Sequence, residues 1–408
     1  MINCFIPFLS LPQARQTVRA LGLCDRIKNI YLLATEKIPD EVEGCEMLMI
    51  DSPASTATFR TIALHADTAY TLLYTKYTAF EPGQFAFERL LAIAGDTNAG
   101  MLYADRYLLK NGNSQQAPVI DYQKGSLRDD FDFGSLLFFR SSVLKQAVRA
   151  MDADYRFAGL YDLRLRVSEL AELVHVNEYL YSEVETDIRK SGEKLFDYVD
   201  PKNRAVQIEM EAVCTAYLKR VGGYLAPDFE PVTFDAGGFE QEASVIIPVR
   251  NRIRTIEDAI RSVLAQKTTF RFNLIIVDNH STDGTSEAIG KYTADGRVVH
   301  LVPERSDLGI GGCWNVGVHH PACGKFAVQL DSDDVYSGPD TLQKIVDAFY
   351  EQNCAMVVGT YRMTDFKMNE IPPGIIDHRE WTLENGRNNA LRINGLGAPR
   401  AFYTPILR

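Results

Sequence analysis

The chain has 408 residues, 46% of them hydrophobic and 24% charged, with a formal charge of −11 at pH 7 and a pI near 5.2. This length exceeds that of a usual single domain and predicts two domains, each with its own core. The acidic balance, without a dense block of Lys and Arg, argues against nucleic acid as a partner and against a patch for anionic membranes.

The seven cysteines are scattered and never spaced as Cys-x-x-Cys, which favours a reducing compartment over disulfides or a zinc site. The N-terminus has no basic segment and meets Pro7 and Pro12 early, so it predicts a first strand rather than a signal peptide. No window is apolar over the length needed to span a bilayer. These features predict a soluble, cytoplasmic protein whose membrane association, if any, is peripheral.

In the first half, apolar runs predict strands that include Phe5–Pro7, Ile30–Leu33 and Tyr70–Tyr74. Residues 201–221 carry apolar side chains at helical spacing, which predicts a helix that docks one face on a domain. Residues 222–238 are rich in Gly and Pro and indicate a linker. The resulting division is a first domain at 1–185, a connecting helix and linker at 186–242, and a second domain at 243–408.

In the second half, strands alternate with helices, which predicts an α/β domain with a largely parallel sheet. The predicted elements are a strand at 243–249, a helix at 256–264, a strand at 272–277, a polar turn at 278–285, a helix at 286–292, a strand at 298–302, a flexible turn at 309–312, a helix start at 313–318 and a strand at 326–330. In such sheets ligands bind beyond the carboxyl ends of the strands. Asp278 and Asp331 both occupy that position.

An acid cluster, Asp331-Ser332-Asp333-Asp334, closes the last of these strands. A lone Asp-x-Asp arises by chance roughly once in 400 residues, so the neighbouring motifs must support it. Aspartates that only cap the turn after a strand are the structural alternative.

The first half resembles a degenerate copy of the second. Phe5-Ile6-Pro7 matches Ile246-Ile247-Pro248, and Ile30–Leu33 matches Leu274–Val277. Tyr70–Tyr77 matches Ala327–Asp334, because Pro82 and Pro339 are separated by the same interval as Tyr74 and Asp331. Internal duplication is predicted; the alternative is that any two α/β domains share this rhythm.

The block from Ser244 to Asp334 resembles the family-2 glycosyltransferases, which have the GT-A fold and use nucleotide-activated sugars. Four motifs in order carry the resemblance: Val245–Asn251, Ile276–Thr285, Gly309–Gly317 and Asp331–Asp334. A looser resemblance continues to Arg408. The family resemblance implies an α/β protein of two GT-A-like domains with mainly parallel central sheets, joined by a helix and a linker.

The resemblance also implies a site. Asp333 and Asp331 would bind Mn²⁺ or Mg²⁺, Asp331 lying nearer the ribose or a metal-bound water, and Asp278 would accept a hydrogen bond from the nucleotide base, typically uracil. A divalent ion on hard carboxylates stabilises the charge on a departing diphosphate. The further nucleotide-sugar-binding candidates are Pro248, Val249, Asn251 and Asn315, with Arg305 weaker. Asp283 is expected to organise the following turn.

Inverting family members use a general base, commonly the aspartate of a Glu-Asp pair after the metal motif. This pair does not occur between Asp334 and Arg408, so the base is expected beyond Arg408 and the second domain is expected to be truncated. In the first half, Asp162 stands at the base-like position after Tyr161, and Lys76 stands among residues that replace the metal acids. The favoured prediction there is a non-catalytic module for docking or acceptor binding, rather than an active metal-free site.

The predicted function is metal-dependent transfer of a sugar from a nucleotide-diphosphate sugar, a UDP-sugar by resemblance, to a glycan or lipid-linked acceptor. The resemblance implies inversion and a place in cell-surface polysaccharide synthesis. The alternative is a non-catalytic or fragmentary nucleotide-sugar-binding scaffold with two GT-A-like modules. A nucleotidyltransferase is a third hypothesis, but the Gly-rich, Lys/Arg-bearing phosphate loop expected near its first strand is missing.

Overall fold

The computed structural model describes residues 1–37, 40–110, 112–184, 203–235, 237–378, 381, 386–393, 396–397 and 399–408. The chain divides into two compact units. The first contains Met1–Tyr224 and Glu380–Ile393, and the second contains Leu225–Arg379 and Asn394–Arg408. Within the described residues, no helix combines the length and the apolar character needed to cross a membrane.

The first unit has a nine-stranded sheet in the order β3-β2-β1-β4-β8-β6-β9-β5, with β7 paired to β6. The strands β1 to β4 are mutually parallel where they pair, and β8 is antiparallel to β4. Its elements are β1 Ile2–Pro7, α1 Leu11–Gly22, β2 Ile27–Ala34, β3 Glu46–Met49, α2 Thr56–His65, β4 Tyr70–Tyr74, β5 Phe80–Pro82, α3 Ala86–Asp96, β6 Ala99–Lys110, β7 Asn113–Ala117, β8 Leu136–Arg140, α4 Ser141–Arg149, α5 Gly159–Leu170, β9 Glu172–Val184 and α6 Arg204–Val221, with α11 Asn389–Arg392 from the later segment.

The second unit has a six-stranded sheet in the order β12-β11-β10-β13-β17-β14 and a separate hairpin, β15-β16. The strands β10 to β13 are parallel, and β17 runs antiparallel between β13 and β14. Its elements are β10 Ala243–Val249, α7 Ile256–Leu264, β11 Phe272–Asp278, α8 Thr285–Gly290, β12 Val298–Leu301, α9 Gly309–His319, β13 Phe326–Gln329, α10 Thr341–Gln352, β14 Met356–Val358, β15 Tyr361–Thr364, β16 Glu370–Ile376, β17 Arg400–Tyr403 and α12 Thr404–Leu407.

The central strands of the second unit are buried on both faces, as continuous apolar runs predict for a parallel sheet. Every residue of β10 and β11 is buried. Helix α7 buries Ile256, Ile260 and Val263 against one face, and Cys313 and Val318 of α9 belong to the cluster on the other face. This packing of helices on both faces of one sheet is the α/β architecture that the sequence predicts.

The two sheets share the strand order third-second-first-fourth, followed by an antiparallel strand. Pro7 pairs with Leu33 and Pro248 pairs with Val277, which is the register of the predicted correspondence. The fourth strand differs from the prediction by one residue. Phe5 pairs with Leu73, whereas Ile246 pairs with Gln329.

This register changes which residues of the first unit correspond to the acid cluster. Continuing from Leu73 and Gln329, Thr75 corresponds to Asp331 and Tyr77 to Asp333, so the predicted match of Tyr74 with Asp331 is wrong by one residue. The proline spacing on which that match relied lies after the strand, where a loop can absorb one residue without disturbing the sheet.

Two predicted boundaries differ from the described units. The Pro- and Gly-rich stretch after Tyr224 belongs to the second unit, where the ring of Phe234 lies 5.3 Å from that of Phe326 and 5.1 Å from that of Tyr403. In addition, residues 386–393 pack in the first unit, although the sequence predicts them within the second domain. The composition of the linker did not reveal its aromatic anchor.

The predicted flexible turn at 309–312 is instead the first turn of α9, which corrects that prediction. Helix propensity is low there because of its glycines, but packing overrides it. A Cβ atom on Gly317 would lie 2.6 Å from Cγ2 of Ile246, so glycine permits the close approach of α9 to β10.

Candidate functional site

Asp278 is the last residue of β11 and pairs with Val249, the last residue of β10. Its side chain is fully buried. Oδ1 accepts a 2.9 Å hydrogen bond from the backbone N–H of Ser281, and Oδ2 accepts one from the hydroxyl of Ser286. Burial alone would raise the pKa of Asp278, but hydrogen bonding from Ser281 and Ser286, with a smaller contribution from the charge of His300, outweighs burial and lowers the pKa below its ordinary value. A buried carboxylate is thereby held in its charged form.

The loop after β10 is fixed to the loop after β11. Asn251 has a left-handed backbone with φ of 54°, and its Oδ1 accepts a 2.8 Å hydrogen bond from the N–H of Thr282. Its own N–H donates to Oγ of Ser281 at 3.0 Å. The N–H of Asn279 donates to the carbonyl of Val249 at 2.8 Å. Pro248, which precedes Val249 in the chain, is buried. Pro248, Val249, Asn251 and Asp278 therefore lie together.

The polar turn after β11 contains Asp283, which the sequence predicts to organise the turn, and His280. The carboxylate of Asp283 accepts hydrogen bonds from the N–H groups of Thr285 at 3.1 Å and Ile253 at 3.2 Å, which confirms that it organises the turn. His280 has a φ of 59°, in the left-handed region that favours glycine and asparagine.

The acid cluster follows β13, which lies beside β10 on the side opposite β11. Oδ1 of Asp331 accepts a 3.1 Å hydrogen bond from Nε2 of Gln329. The side chain of Asp333 is 49% exposed, and its Oδ2 lies 3.7 Å from Nε of Arg252, in the loop after β10. The three loops after β11, β10 and β13 are thus joined by Asn251 and Arg252. Because parallel strands present their carboxyl ends at one edge, Asp278 and the acid cluster share that edge.

The acid cluster has the electrostatics of a cation site. The pKa of Asp334 is raised to about 6, although the residue as a whole is exposed. The larger cause is loss of hydration at the Asp334 carboxyl group, and the smaller cause is repulsion from Asp331 and Asp333. Mg²⁺ and similar ions commonly take one or two protein carboxylates together with substrate phosphates. The exposed oxygens of Asp333 and the second oxygen of Asp331 fit that requirement.

A cage made entirely of protein ligands is not seen at the cluster. Among the described residues, three ligand atoms from His, Cys, Asp or Glu lie within 4.8 Å of one another only at Cys24, Asp25 and Glu88, in the first unit. The acid cluster therefore suits an ion that shares its coordination with a phosphate ligand.

Within the described residues, no hydrogen bond or ion pair joins Asn315 or Arg305 to this group. Asn315 is exposed on α9, where its carbonyl accepts from Nδ1 of His319 at 2.9 Å. Arg305 is exposed and pairs with Asp307 at 2.9 Å. The structure thus groups Pro248, Val249, Asn251 and Asp278 with the acid cluster or its neighbouring loops.

The first unit replaces the acids with an internal ion-pair network. Nζ of Lys76 lies 2.5 Å from Oε1 of Glu183, a side chain with no exposed surface. Arg106 contacts the same oxygen through Nε at 3.0 Å and Asp132 through Nη2 at 2.9 Å. Ala34 occupies the register position of Asp278. The charges of Lys76 and Arg106 are therefore paired with carboxylates of the same unit, although Nη1 of Arg106 is buried without a hydrogen-bond partner among the described residues.

Asp162, the predicted base-like residue, lies in the first turn of α5 with 1% of its side chain exposed. Its Oδ1 is 2.9 Å from Nε of Arg166. Burial is the main influence on this carboxyl group and raises its pKa, while Arg166 opposes the rise. The pair joins successive turns of the same helix, and Oδ2 of Asp162 is buried without a hydrogen-bond partner among the described residues.

Several residues of the site were missed from the sequence. Ser286 and Arg252 stand next to motif residues but carry no distinguishing pattern of their own. Gln329 is a polar residue in an otherwise apolar strand, and that pattern is a signal that the sequence offers. In the structure the residue is only 4% exposed. Arg400, which contacts Gln329, lies 71 residues away along the chain and could be found only from strand pairing.

Comparisons with known proteins identify relatives of the second unit. The model of glycosyl transferase family 2 matches residues 244–403. A putative teichuronic acid biosynthesis glycosyltransferase, TuaG of Bacillus subtilis, is 33% identical over 120 residues, covering 29% of this chain and 46% of its own length. An uncharacterized glycosyltransferase of Rickettsia conorii is 38% identical over 97 residues, covering 24% of this chain and 15% of its own length.

Among solved structures, TarS 1-349 of S. aureus is 25% identical, with a TM-score of 0.33, and the match covers 41% of this chain and 48% of that chain. This chain spans less than half the length of the two curated relatives, from Bacillus subtilis and Rickettsia conorii. The family match and the curated relatives agree with the ordered motifs of the second unit. Residues 244–403 form a domain of glycosyl transferase family 2.

Proposed function

We propose that this protein is a metal-dependent glycosyltransferase whose second unit binds a nucleoside-diphosphate sugar, a UDP-sugar, and transfers the sugar to a glycan or lipid-linked acceptor. The observation that carries the proposal is the shared sheet edge. There, the buried Asp278 and the half-exposed Asp333 follow strands on either side of β10, and Arg252 contacts Asp333. Family membership of residues 244–403 supports the reaction class.

Asp278 is proposed to read the nucleotide base. Its two oxygens already hold one hydrogen bond each, which orients the carboxylate, and a carboxylate has about four acceptor positions. Because the side chain has no exposed surface, a ring N–H of uracil can use one of those that remain only when the groups covering the carboxylate move aside. A base without that donor would leave the buried acceptor short of a partner, which gives strong discrimination.

Asp333 and Asp331 are proposed to hold a Mn²⁺ or Mg²⁺ ion together with the diphosphate. When bound, the ion stabilises the negative charge that develops on the leaving diphosphate. Asn251 and Arg252 fix the loop between the two carboxylate positions, so the donor enters a site that is already organised. Pro248 and Val249 are proposed to form the wall beside the base, and Asn315 to reach the donor from α9.

The acceptor class and stereochemistry are extensions from the family. The name of the Bacillus subtilis relative includes teichuronic acid biosynthesis, and we infer by analogy a role in cell-surface polysaccharide synthesis. Inversion at the anomeric carbon is proposed on the same basis. The seven free cysteines support a cytoplasmic location, where the protein can act at the inner face of the membrane.

Asp333→Asn is the variant that tests the proposal. The full chain with Mn²⁺ is incubated with UDP-, GDP- and TDP-sugars, and release of the nucleoside diphosphate is measured. We expect turnover of a UDP-sugar that falls at least about 100-fold in Asp333→Asn, because charge stabilisation at the leaving group is lost. Asp258→Asn is the matched control, since Asp258 is 65% exposed on α7 and pairs only with Arg261 among its described partners.

Equal turnover by Asp333→Asn and the unaltered protein would contradict the metal assignment. Donor binding without turnover would favour the alternative of a nucleotide-sugar-binding scaffold. Circular dichroism of each variant checks that the fold is retained.

A further inference from the structure

A hydrogen-bonded relay connects β17 to the acid cluster. Nε of Arg400 donates to Oε1 of Gln329 at 2.7 Å, and Nε2 of Gln329 donates to Oδ1 of Asp331 at 3.1 Å. Gln329 is 4% exposed, so its amide has little access to water and depends on these partners. Arg400 is held in register on both sides, because β17 pairs with β13 and with β14, where Val358 is its direct partner.

The polarity of this relay is fixed by chemistry. A guanidinium has only donors, so it requires the carbonyl oxygen of the Gln329 amide to face Arg400. The NH₂ group must then face Asp331, whose carboxylate offers only acceptors at neutral pH. Turning the amide over would place donor against donor at one end and acceptor against acceptor at the other. The relay therefore accepts one orientation of Gln329.

The same chemistry restrains Asp331. Its Oδ1 is engaged by Gln329, so the carboxylate cannot rotate freely, and Oδ2 remains available to a ligand. Groups that hold a ligating carboxylate in place commonly change metal affinity about 10- to 100-fold when they are removed. The neighbouring Asp333 has no comparable restraint among the described residues, since its nearest cation, Arg252, lies 3.7 Å away.

We propose that Arg400 and Gln329 are positioning residues that orient Asp331 for the metal-bound donor. Neither side chain touches the donor in this arrangement; both act through Asp331. The inference rests on the proposed function, since it takes Asp331 as a ligand of the metal or the donor. It also gives β17, which follows the acid cluster by some 70 residues in the chain, a direct part in the site.

The test measures the affinity of the full chain for Mn²⁺ in the presence of UDP, by electron paramagnetic resonance of free Mn²⁺. Gln329→Met removes both hydrogen bonds of the relay while keeping the side-chain length. Arg400→Met removes the hydrogen bond from the guanidinium to Gln329. We expect each variant to weaken Mn²⁺ binding about 10- to 100-fold. The double variant should bind no more weakly than either single variant, because both break one relay. Arg400→Lys, which keeps a donor, should recover part of the loss.

Gln343→Met is the matched control. Gln343 also donates from Nε2 to an aspartate, Asp347 at 2.8 Å, but on α10. We expect it to leave Mn²⁺ affinity unchanged. Thermal unfolding without metal identifies any variant that is merely unstable, and the two Met variants test the relay independently of each other.

Three results separate the outcomes. Wild-type affinity in a folded Gln329→Met or Arg400→Met variant would overturn the relay while leaving the proposed function standing. Additive losses in the double variant would also overturn it, because they would show two independent effects. Failure of the unaltered protein to bind Mn²⁺ with UDP would overturn both the proposed function and the relay.

Discussion

At the scale of single residues, the charge of Asp278 depends on two short-range donors. The N–H of Ser281 and the hydroxyl of Ser286 stabilise the carboxylate, and His300 adds a weaker contact, with Nε2 3.6 Å from Oδ2. Hydrogen bonds to a buried charge are among the stronger ones in a protein. The proposed base-reading group is therefore maintained by a serine eight residues further along the chain.

Ser286→Ala should reduce the stability of the second unit by about 1.5–3 kcal/mol at pH 7. The pKa of Asp278 is lowered on folding, so its charged form stabilises the unit above about pH 4 and this contribution is lost as the pH falls through the folded-state pKa. In Ser286→Ala the pKa of Asp278 is lowered less on folding. The difference in unfolding free energy between the variant and the unaltered protein should therefore narrow as the pH falls below about 4. Urea unfolding followed by fluorescence of Trp314, in a Trp381→Phe background, measures it.

Asn369→Ala provides the comparison for that measurement. Asn369 donates to Asp365 at 3.0 Å on an exposed turn, where lowering of the pKa of Asp365 has little effect on stability because water replaces the lost donor. A deficit for Ser286→Ala that is equal at pH 7 and pH 3 would show that the hydroxyl acts by packing instead of by stabilising the charge.

The positions of single residues could be predicted from the sequence where a motif is local. Asp278 ends β11, and Asp331 and Asp333 follow β13, so their positions at one sheet edge followed from the strand pattern. Their roles in binding stay predictions. Gln329 and Arg400 were not identified, because their contact depends on the antiparallel pairing of β17 with β13. No local pattern records which residue of a distant strand will lie opposite a given position.

At the scale of secondary-structure elements, α9 shows how packing overrides propensity. The glycines at its start predict a turn, yet the helix extends from Gly309 to His319. Two glycines of this helix have opposite surroundings. Gly317 would place a Cβ atom 2.6 Å from Ile246, whereas a Cβ atom on Gly311 would meet no atom within 4 Å.

These two positions give a matched pair of substitutions. Gly317→Ala should destabilise the second unit by about 1–3 kcal/mol, because the added methyl group forces α9 away from β10. Gly311→Ala should stabilise it by about 0.5–1 kcal/mol, because alanine loses less backbone entropy in a helix. Urea unfolding reports both. Equal effects of the two substitutions would contradict the close approach of α9 to the sheet.

The sheet itself was largely predictable. Runs such as Val245–Ile247 and Leu274–Val277 are apolar without alternation, which indicates strands buried on both faces. The one-residue error in matching Tyr74 with Asp331 arose in a loop, where sequence spacing does not fix register. Pairing of Phe5 with Leu73 and of Ile246 with Gln329 corrected it.

At the scale of the whole molecule, the chain completes its first unit with a segment from its later sequence. Arg392 has no exposed surface, and its guanidinium pairs with Asp129 and donates to Gln207 at 2.6 Å. The carboxylate of Glu211 on α6 accepts from the N–H groups of Gly386 and, at 3.1 Å, of Asn388. The first unit therefore includes residues that the family match assigns to the range 244–403.

Arg392→Met should destabilise the first unit by about 3–5 kcal/mol, because it leaves Asp129 without its partner in a site where burial already raises the pKa of that carboxyl group. The double variant Asp129→Asn/Arg392→Met should lose less than the sum of the two single variants. Fluorescence of Trp381 in a Trp314→Phe background reports unfolding of this unit.

Arg89→Met is the control for Arg392→Met. Arg89 forms a surface ion pair with Glu178 at 2.6 Å in the same unit, and solvent screens it, so its removal should leave the unfolding midpoint unchanged. A similar midpoint for Arg392→Met and Arg89→Met would mean that the later segment adds little to the first unit.

Calorimetric titration of the full chain with UDP, with and without Mn²⁺, tests the central claim most directly. The arrangement of Asp278 and the acid cluster at one sheet edge predicts saturable binding of UDP that requires Mn²⁺ and is lost in Asp333→Asn. Absence of binding, or equal affinity in the presence of a chelator, would contradict the assignment of a metal-dependent nucleotide site to the second unit.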